Sequence, residues 1–361
     1  MKNCVNLAHE NGVKVYVTAN IYAHNSDLDE IKNYFNELND VKPDAVLISD
    51  IGVLNIAKKT LKNVDIHLST QANTTNYETV KFMRDIGVKR VVLARELSLD
   101  EIKMIKDEVK DSIEIECFVH GSMCISYSGR CLLSAYMAGK SANLGLCTHP
   151  CRWKYMLLEE SERKGEYMPV IETERGTYIF NSKDLNMIEH VDDLIKSGID
   201  SLKIEGRMKS PLYVAIVTRT YRKAIDDYYV NPEKYRQNIS IYKKEIGKCT
   251  YREYTTGFYY GKPDENTQIY DSNTYIKGST FLGIVEKVDG EFAFFEQKNK
   301  FSVGDTLIAM KPDFSNLNVR VLGIFDEDTG KELESCSHAK ERLKVRFDTK
   351  LEVLDILRSS D

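Results

Sequence analysis

The chain has 361 residues, which leaves room for two domains, or for one large barrel with an appended domain. Hydrophobic residues make up 42% and charged residues 29%, as in an average soluble enzyme, and the 7 prolines and 20 glycines exclude a collagen-like or low-complexity chain. The net charge of -5 argues against a uniformly basic nucleic-acid-binding protein.

The first half alternates short β-branched runs with longer polar segments, which is typical of βα units on a parallel sheet. Strands are predicted at residues 13–18, 45–49, 65–69, 90–94, 113–119 and 201–204, with a further one near 178–180. Helices are predicted behind the caps Ser26 and Ser98 and in two further gaps, over residues 27–38, 53–60, 75–85 and 99–109. The chain begins inside a helix and has too few strands for a closed barrel. We therefore expect an α/β fold, a TIM-like (β/α) barrel lacking its first strands.

The second half has a different pattern. A cysteine-rich insertion occupies residues 121–155, followed by one arm of a hairpin and two helices, at residues 173–180, 185–197 and 211–229. Short strands then recur at the spacing of an all-β domain, at residues 281–288, 291–295, 305–310, 318–324, 343–347 and 352–356. The predicted domains are a barrel over residues 1–237, a linker over 238–273 and a small all-β C-terminal barrel over 274–361.

No apolar run approaches the roughly 20 residues that span a bilayer, and the N-terminus lacks the apolar core of a secretory signal. We therefore expect a cytoplasmic protein with no membrane association. In a reducing compartment, clustered cysteines indicate ligands of a metal ion or metal cluster in preference to disulfide bonds.

Four of the eight cysteines are clustered with the spacing Cys-x6-Cys-x15-Cys-x3-Cys, at Cys124, Cys131, Cys147 and Cys151. Structural zinc sites use tighter Cys-x2-Cys pairs, whereas a [4Fe-4S] cluster needs four thiolates and tolerates wider loops. The spacing favours an iron–sulfur cluster and leaves a zinc site, or unligated or catalytic thiols, as alternatives. His120 and His149 flank the cluster, so a Cys-His nucleophile pair is a further alternative.

Polar residues at the carboxyl ends of the predicted strands are candidates for catalysis, because parallel barrels carry their chemistry there. Inward-facing Arg and Lys are costly unless they are paired or meet an anionic ligand. The candidate catalytic residues on this ground are Arg95, Glu96, His120, Lys203, Glu205 and Arg207. His67 lies in the middle of a strand and is interpreted as a core histidine.

Positive charge is concentrated in two stretches. Residues 121–155 contain four basic residues and no acidic one, and residues 201–223 contain six basic residues and one acidic one. This asymmetry indicates either a basic face for an anionic partner or the solvated surfaces of helices.

The chain resembles the collagenase-like peptidases of family U32, in the branch that includes the tRNA 5-hydroxyuridine modification proteins. The matching stretches are HLSTQAN, RVVLARELS, FVHGSMCISYSGRCLLS, NLGLCTHPCRW, SLKIEGRMKSPLYVA and TTGFYYGKP. The resemblance implies a barrel followed by a small β-barrel, and prephenate-dependent hydroxylation of the wobble uridine in tRNA. It also implies an oxygen-sensitive cluster held by the four clustered cysteines. Family members usually open with strands resembling ELLAPAG and AVYLG, which this sequence lacks.

The leading hypothesis is an iron–sulfur-dependent RNA-modifying enzyme that binds a small anionic co-substrate at the barrel mouth. Arg95, Lys203 and Arg207 are its expected carboxylate partners, and the β-domain with residues 203–223 is expected to bind the tRNA backbone. One alternative is a collagenase-like peptidase that hydrolyses polypeptides. The other is a cluster-bearing accessory protein that needs a partner chain or an oligomer.

Overall fold

The structure is a computed structural model, and it describes residues 1–124, 126–152, 171–173, 176–178, 182–262, 276–338 and 340–360. The described elements up to residue 205 are α1 (Lys2–Glu10), β1 (Tyr16–Ala19), α2 (Leu28–Val41), β2 (Ala45–Ile48), α3 (Ile51–Thr60), β3 (Asp65–Leu68), α4 (Tyr77–Asp85), β4 (Arg90–Val92), α5 (Leu99–Val109), β5 (Glu114–Ser122), α6 (Leu133–Ala138), β6 (Ile171–Thr173), β7 (Gly176–Tyr178), β8 (Asp184–Asn186), α7 (Val191–Lys196) and β9 (Ser201–Ile204).

The elements that follow are mostly strands. They are α8 (Pro211–Val230), α9 (Pro232–Ile246), β10 (Thr250–Tyr251), β11 (Tyr254–Thr255), β12 (Ile276–Lys277), β13 (Phe281–Ile284), β14 (Lys287–Asp289), β15 (Phe292–Glu296), β16 (Phe301–Ser302), β17 (Thr306–Met310), β18 (Asn316–Asp326), β19 (Glu332–Leu333), β20 (Ser335–Cys336), β21 (Arg342–Phe347) and β22 (Ile356–Ser359).

The chain divides into two compact units that alternate along the sequence. The first consists of Met1–Glu205 and Glu253–Asn273, and the second of Gly206–Arg252 and Thr274–Asp361. Helices α8 and α9 therefore belong with the C-terminal strands, whereas the prediction placed residues 211–237 in the barrel.

The first unit is built on a parallel sheet in the order β1-β2-β3-β4-β5, with β9 pairing in parallel with β5. Every residue of β2 is buried, as expected for a central parallel strand covered on both faces. Antiparallel β8 pairs with the end of β5, and β11 pairs with β8. The predicted parallel α/β sheet is confirmed. In the described part of the chain β1 pairs with β2 alone, so the sheet is open there.

Helices cover this sheet through apolar stripes of helical spacing. Helix α5 buries Ile102, Ile105 and Val109, which recur every three or four residues. It begins at a capping box in which Ser98 accepts from the Glu101 backbone N–H and the Glu101 carboxylate accepts from Ser98. The prediction of Ser98 as a cap is confirmed.

Three predictions in this unit are wrong. Ser26 was predicted to cap a helix over residues 27–38, but the N-cap of α2 is Asp27 and Ser26 lies in a short 3-10 turn, Asn25–Asp27. Residues 185–197 were predicted as one helix, but the stretch opens with β8 and only Val191–Lys196 is helical. Pairing of β8 with β5 through His120↔Asn186 outweighs the local helical pattern. Residues 178–180 were also considered as a strand of the main sheet, but Tyr178 belongs to the separate hairpin of β6 and β7. That hairpin confirms the prediction of a hairpin arm at residues 173–180 where the structure describes it, and residues 179–180 lie outside the described residues.

The second unit opens with two helices. Asn231 ends α8 and its side chain accepts from the Glu233 N–H, which starts α9 with Pro232 at its first turn. The predicted linker over residues 238–273 is therefore wrong where the structure describes it, because the stretch contains most of α9 and the strands β10 and β11. Tyr235 and Tyr242 give α9 a buried face at helical spacing. Residues 263–273 of that prediction lie outside the described residues.

The remainder of this unit is an antiparallel sheet in the order β13-β22-β17-β18-β21-β15-β14. Its core includes Phe295 and Phe301, whose rings stack at 6.0 Å. The prediction of a C-terminal all-β domain is confirmed, but the predicted last strand, residues 352–356, is displaced. The strand runs over Ile356–Ser359, because Leu354 adopts a φ of 75° in the preceding turn.

Among the described helices, none combines the length and the apolar character needed to cross a membrane.

Candidate active site at the carboxyl ends of the parallel strands

The cysteine-rich segment, residues 121–152, leaves the sheet at the end of β5 and contains the short helix α6. All eight cysteines of the chain are free. In this segment Cys124 is exposed and the other three, Cys131, Cys147 and Cys151, are half-buried. The backbone N–H of His149 donates to Cys147 Sγ at 3.4 Å. Four free, accessible thiols are the donor set that an iron–sulfur cluster requires.

The segment does not close these thiols into a ligand set by itself. Across the residues that the structure describes, no three histidine, cysteine or acidic side chains are grouped closely enough to hold a metal ion. The donor chemistry of four cysteines nevertheless fits a cluster.

Arg95, which follows β4, is engaged by this segment. Its Nη1 donates to the Ser122 carbonyl at 2.9 Å, and its Nη2 donates to Ser128 Oγ at 2.6 Å. The guanidinium also lies 5.1 Å above the ring of Phe118. The structure therefore places Arg95 as a support for the segment, and not with its guanidinium directed at a co-substrate as the sequence suggested.

A second support consists of three residues from separate parts of the chain. Asn143 is only 8% exposed, and its Oδ1 accepts from the Tyr22 backbone N–H at 2.8 Å. Its Nδ2 donates to Gln71 Oε1 at 2.9 Å. Sequence analysis did not identify Asn143, because an isolated asparagine in a loop has no pattern to mark it.

Glu96 is a half-buried carboxyl group that follows Arg95 in the chain. Burial raises the pKa of Glu96, and the positive charge of Arg95 offsets only part of that effect. Glu96 Oε2 has no hydrogen-bond partner among the described residues. A desolvated carboxyl at the end of a parallel strand is a candidate proton carrier.

His120 has a different environment. It is 1% exposed within β5, and its ring packs 5.5 Å from that of Tyr254. This burial is typical of a core residue. The Cys-His nucleophile pair considered from the sequence has no support in these contacts.

Lys203, predicted to bind a carboxylate ligand, already faces a carboxylate of the protein. Its Nζ lies 3.3 Å from Glu116 Oε1. Glu116 also accepts from Arg90 Nη1 at 2.9 Å and from Ser201 Oγ at 2.8 Å. Burial raises the pKa of Glu116, but Lys203, Ser201 and Arg90 together outweigh burial and lower it. Lys203 is therefore paired with a carboxylate of the protein itself, and its role as a partner of a carboxylate ligand stays a prediction.

Glu205 and Arg207 fall on either side of the division between the units. The Glu205 N–H donates to the His120 carbonyl at 2.9 Å. Gly121 has a φ of +116° and packs against the Glu205 backbone. A Cβ at this position would lie 2.5 Å from the Glu205 carbonyl oxygen. Glu205 thus contributes a close backbone contact at the end of β5, and Arg207 lies in the second unit.

The basic stretch at residues 201–223 is largely neutralised. Arg219 is buried and donates to the carbonyls of Lys311 and Ser315 at 3.0 and 3.2 Å. Two more of its cations form ion pairs one helical turn along α8, Arg222 with Asp226 and Lys223 with Asp227. The predicted RNA-binding role of this stretch is therefore not supported by its contacts.

An open cavity of about 610 Å³ adjoins the cysteine segment. It is lined by Asn73, Thr75, Ser126, Tyr127 and Arg130. The last three of these come from the loop between Cys124 and Cys131. The guanidinium of Arg130 lies 5.1 Å above the ring of Tyr22.

A second cavity, of about 380 Å³, lies at the opposite, amino ends of the strands and is lined in part by His67 and Arg90. His67 is buried, as predicted, and burial together with Arg90 lowers its pKa to about 4. Parallel α/β sheets place catalysis at the carboxyl ends, which favours the first cavity.

Comparison with known proteins decides the family. The sequence profile of Peptidase family U32 matches residues 1–269, and that of the Peptidase family U32 C-terminal domain matches residues 277–358. The chain belongs to peptidase family U32. The resemblance noted from the sequence is thereby confirmed.

Relatives of this U32 protein include proteins named for RNA hydroxylation. It is 37% identical to a tRNA hydroxylation protein of Bacillus subtilis, over 98% of this chain and 83% of that protein. It is 39% identical to a tRNA hydroxylation protein of Escherichia coli, over 87% of this chain and 77% of that protein. It is 35% identical to a 23S rRNA 5-hydroxycytidine synthase of Escherichia coli, over 62% of this chain and 32% of that protein.

Proposed function

We propose that this U32 protein hydroxylates the wobble uridine of tRNA, using a [4Fe-4S] cluster and prephenate as a small anionic co-substrate. The observation that carries the proposal is the similarity, over 98% of the chain, to a protein named for tRNA hydroxylation. The cysteine segment supports it too, because it is bonded to Arg95 and Gln71, which follow β4 and β3 at the edge where parallel sheets place their chemistry.

Cys124, Cys131, Cys147 and Cys151 are the proposed cluster ligands. When bound, such a cluster supplies one-electron redox chemistry. No acidic residue occurs between residues 121 and 155, so no carboxylate of the segment would repel the anionic thiolates. Arg130, in the loop between the first two cysteines, adds positive charge at the same place.

The proposed site for the co-substrate is the cavity that Arg130 lines. Arg95 and Lys203 were the expected carboxylate partners, but the first is bonded to Ser122 and Ser128 and the second is paired with Glu116. The planar guanidinium of Arg130 can instead bind a carboxylate through two parallel hydrogen bonds. Thr75 and Tyr127 in the same cavity wall offer further hydroxyl groups.

Glu96 is the proposed proton carrier at this edge. Its raised pKa favours the protonated carboxyl group, which can donate one proton and recover it within a turnover. Its position directly after Arg95 fixes the group at the end of β4.

The acid-free cysteine segment is the proposed RNA contact surface, in place of residues 203–223. Tyr136 on α6 is 87% exposed, so its ring is available for a base to stack on. Lys140 follows the same helix and offers a cation to a phosphate. RNA binding is therefore expected to weaken as salt rises.

The test is anaerobic purification with iron and sulfide analysis, followed by incubation with tRNA and prephenate and mass spectrometry of the digested nucleosides. We expect about four iron and four sulfide per chain, lost in Cys131→Ala, and hydroxyuridine only in the reaction that contains both substrates. Cys336→Ala, which removes a buried cysteine of the other unit, is the matched control and should keep its iron.

The other outcomes are equally specific. Arg130→Ala should lower the apparent affinity for prephenate and leave the iron content unchanged. Arg84→Ala, at a half-buried arginine of α4 that pairs with Asp85, should change neither the affinity nor the iron content. Hydroxycytidine in ribosomal RNA in place of hydroxyuridine would change the assigned substrate. Iron-free protein that cleaves peptides would refute the proposal in favour of the peptidase alternative.

A further inference from the structure

The cysteine segment is attached to the sheet at a few identifiable points. Two loops separate its first three cysteines, and each loop contacts a polar side chain that follows a parallel strand. The first loop, between Cys124 and Cys131, meets Arg95, and the second, between Cys131 and Cys147, meets Gln71. From these contacts we propose that Arg95, Gln71 and Asn143 form a clamp that positions the cysteines for cluster binding. The inference rests on the proposed cluster.

Arg95 is the arm of the clamp that follows β4. It holds both the start of the segment, through the Ser122 carbonyl, and the middle of the first loop, through Ser128 Oγ. Ser128 is 7% exposed, so the second of these bonds is shielded from competing water. The Phe118 ring below the guanidinium limits its movement further.

Gln71 is the arm that follows β3. Its Oε1 accepts from Asn143 Nδ2 at 2.9 Å, and Asn143 in turn accepts from the Tyr22 N–H at 2.8 Å. One amide side chain of the second loop therefore bridges the ends of two strands, β1 and β3. Because Asn143 is buried, loss of its side chain would leave a backbone donor and an amide acceptor without partners.

The first loop also rests on Gln71. Gly129 has a φ of +77°, and a Cβ there would lie 3.0 Å from Cδ of the Gln71 side chain. Only glycine meets both conditions without strain, since its backbone tolerates this φ and it adds no atom toward Gln71. Both loops thus contact the same residue, Gln71, which follows β3.

The clamp is tested by hydrogen exchange and by iron release on the full chain. Asn143→Ala and Arg95→Leu each remove two hydrogen bonds, so exchange of the amides in residues 121–152 should speed up by about tenfold to a hundredfold. Release of iron to a chelator should speed up in the same variants. Arg95→Lys, which can keep one of the two bonds, should fall between wild type and Arg95→Leu.

The matched control is Asn39→Ala. Asn39 also makes one donated and one accepted hydrogen bond, to the Thr60 carbonyl at 3.0 Å and from the Lys62 N–H at 2.8 Å. This variant should speed up exchange near residue 62 and leave residues 121–152 and the rate of iron release unchanged. The thermal midpoint of Asn143→Ala should fall no further than that of Asn39→Ala.

The outcomes separate the clamp from the cluster. Wild-type protein that holds no iron would refute the cluster and, with it, the role of the clamp in positioning the cysteines. Hydrogen exchange in that iron-free protein would still report whether the contacts of Arg95, Gln71 and Asn143 hold the segment. Unchanged exchange in residues 121–152 of both variants would overturn the clamp. Faster exchange with an unchanged rate of iron release would show that the contacts hold the segment without positioning the cysteines, and would also overturn the proposal.

Discussion

Glu116 lies at the centre of a charge network inside the sheet, and replacing it with glutamine is expected to destabilise the first unit. Glu116→Gln keeps the shape of the side chain but leaves Arg90 and Lys203 without their shared negative charge. Breaking a fully buried pair by removing one partner costs about 3–5 kcal/mol. The Lys203 side chain is 26% exposed, and Arg90 keeps its pair with Glu114 at 2.6 Å. Water and Glu114 therefore compensate part of the loss, and we expect the free energy of unfolding to fall by about 2 kcal/mol.

The pH dependence gives the same network a second test. The pKa of Glu116 is lowered below its ordinary value of 4.5, so the folded state favours the charged carboxylate. Its contribution to stability is therefore present above that value and is lost as the pH falls through the lowered pKa. Glu116→Gln lacks this contribution, so the difference between wild type and variant should shrink as the pH falls below 4.5 and through the lowered pKa of Glu116.

The assay is hydrogen exchange of the β4, β5 and β9 amides in mild urea, which reports the free energy of opening of the first unit separately. Glu78→Gln is the control, since the Glu78 side chain is 73% exposed in its pair with Lys81 and its loss should have no measurable effect. An unchanged opening free energy in Glu116→Gln at neutral pH, or a difference that grows as the pH falls, would refute the reasoning.

Two further predictions concern the thiols and the second unit. In native, iron-free protein, an alkylating reagent should modify the exposed Cys4 and Cys124 first, as read by mass spectrometry. It should spare Cys117, because this thiol is buried and burial raises its pKa. Modification of Cys117 at a comparable rate would contradict this prediction. Glu245→Gln should destabilise the second unit by about 3 kcal/mol in a urea titration, because two buried guanidinium groups, Arg219 and Arg358, would then lose their common carboxylate. Glu296→Gln is its control, because the half-buried Glu296 pairs only with the exposed Lys298 among the salt bridges of the described residues, and equal midpoints for the two variants would contradict the prediction.

The sequence predicted those structural features that depend on residues close together in the chain. Strand positions, the Ser98 cap and the stop at Asn231-Pro232 each follow from a few adjacent residues, and the structure contains them. The clustering of the four cysteines was equally visible, because they lie close together in sequence.

The contacts that the sequence did not reveal depend on partners distant in sequence. Arg95 and Lys203 were correctly placed at strand ends, but their roles are set by Ser128, 33 residues away, and by Glu116 in the neighbouring strand. The Gln71–Asn143 bond joins residues 72 positions apart and follows no periodic pattern. A charge count likewise treated Arg219 as a surface cation, although it is buried beside Glu245.

The alternation of the two units along the chain has a consequence for folding during synthesis. The sheet of the first unit receives β11 only after residues 206–252, which belong to the second unit, have left the ribosome. Until then the Phe118 carbonyl lacks the Tyr259 hydroxyl, which donates to it at 2.6 Å in the folded chain and lies 141 residues away in sequence. Closing so long a loop is slow and leaves a strand edge unprotected in the meantime. The nascent chain therefore depends on a late contact to complete its first half, and a ribosome that stalls before residue 253 would release a sheet that is prone to aggregation.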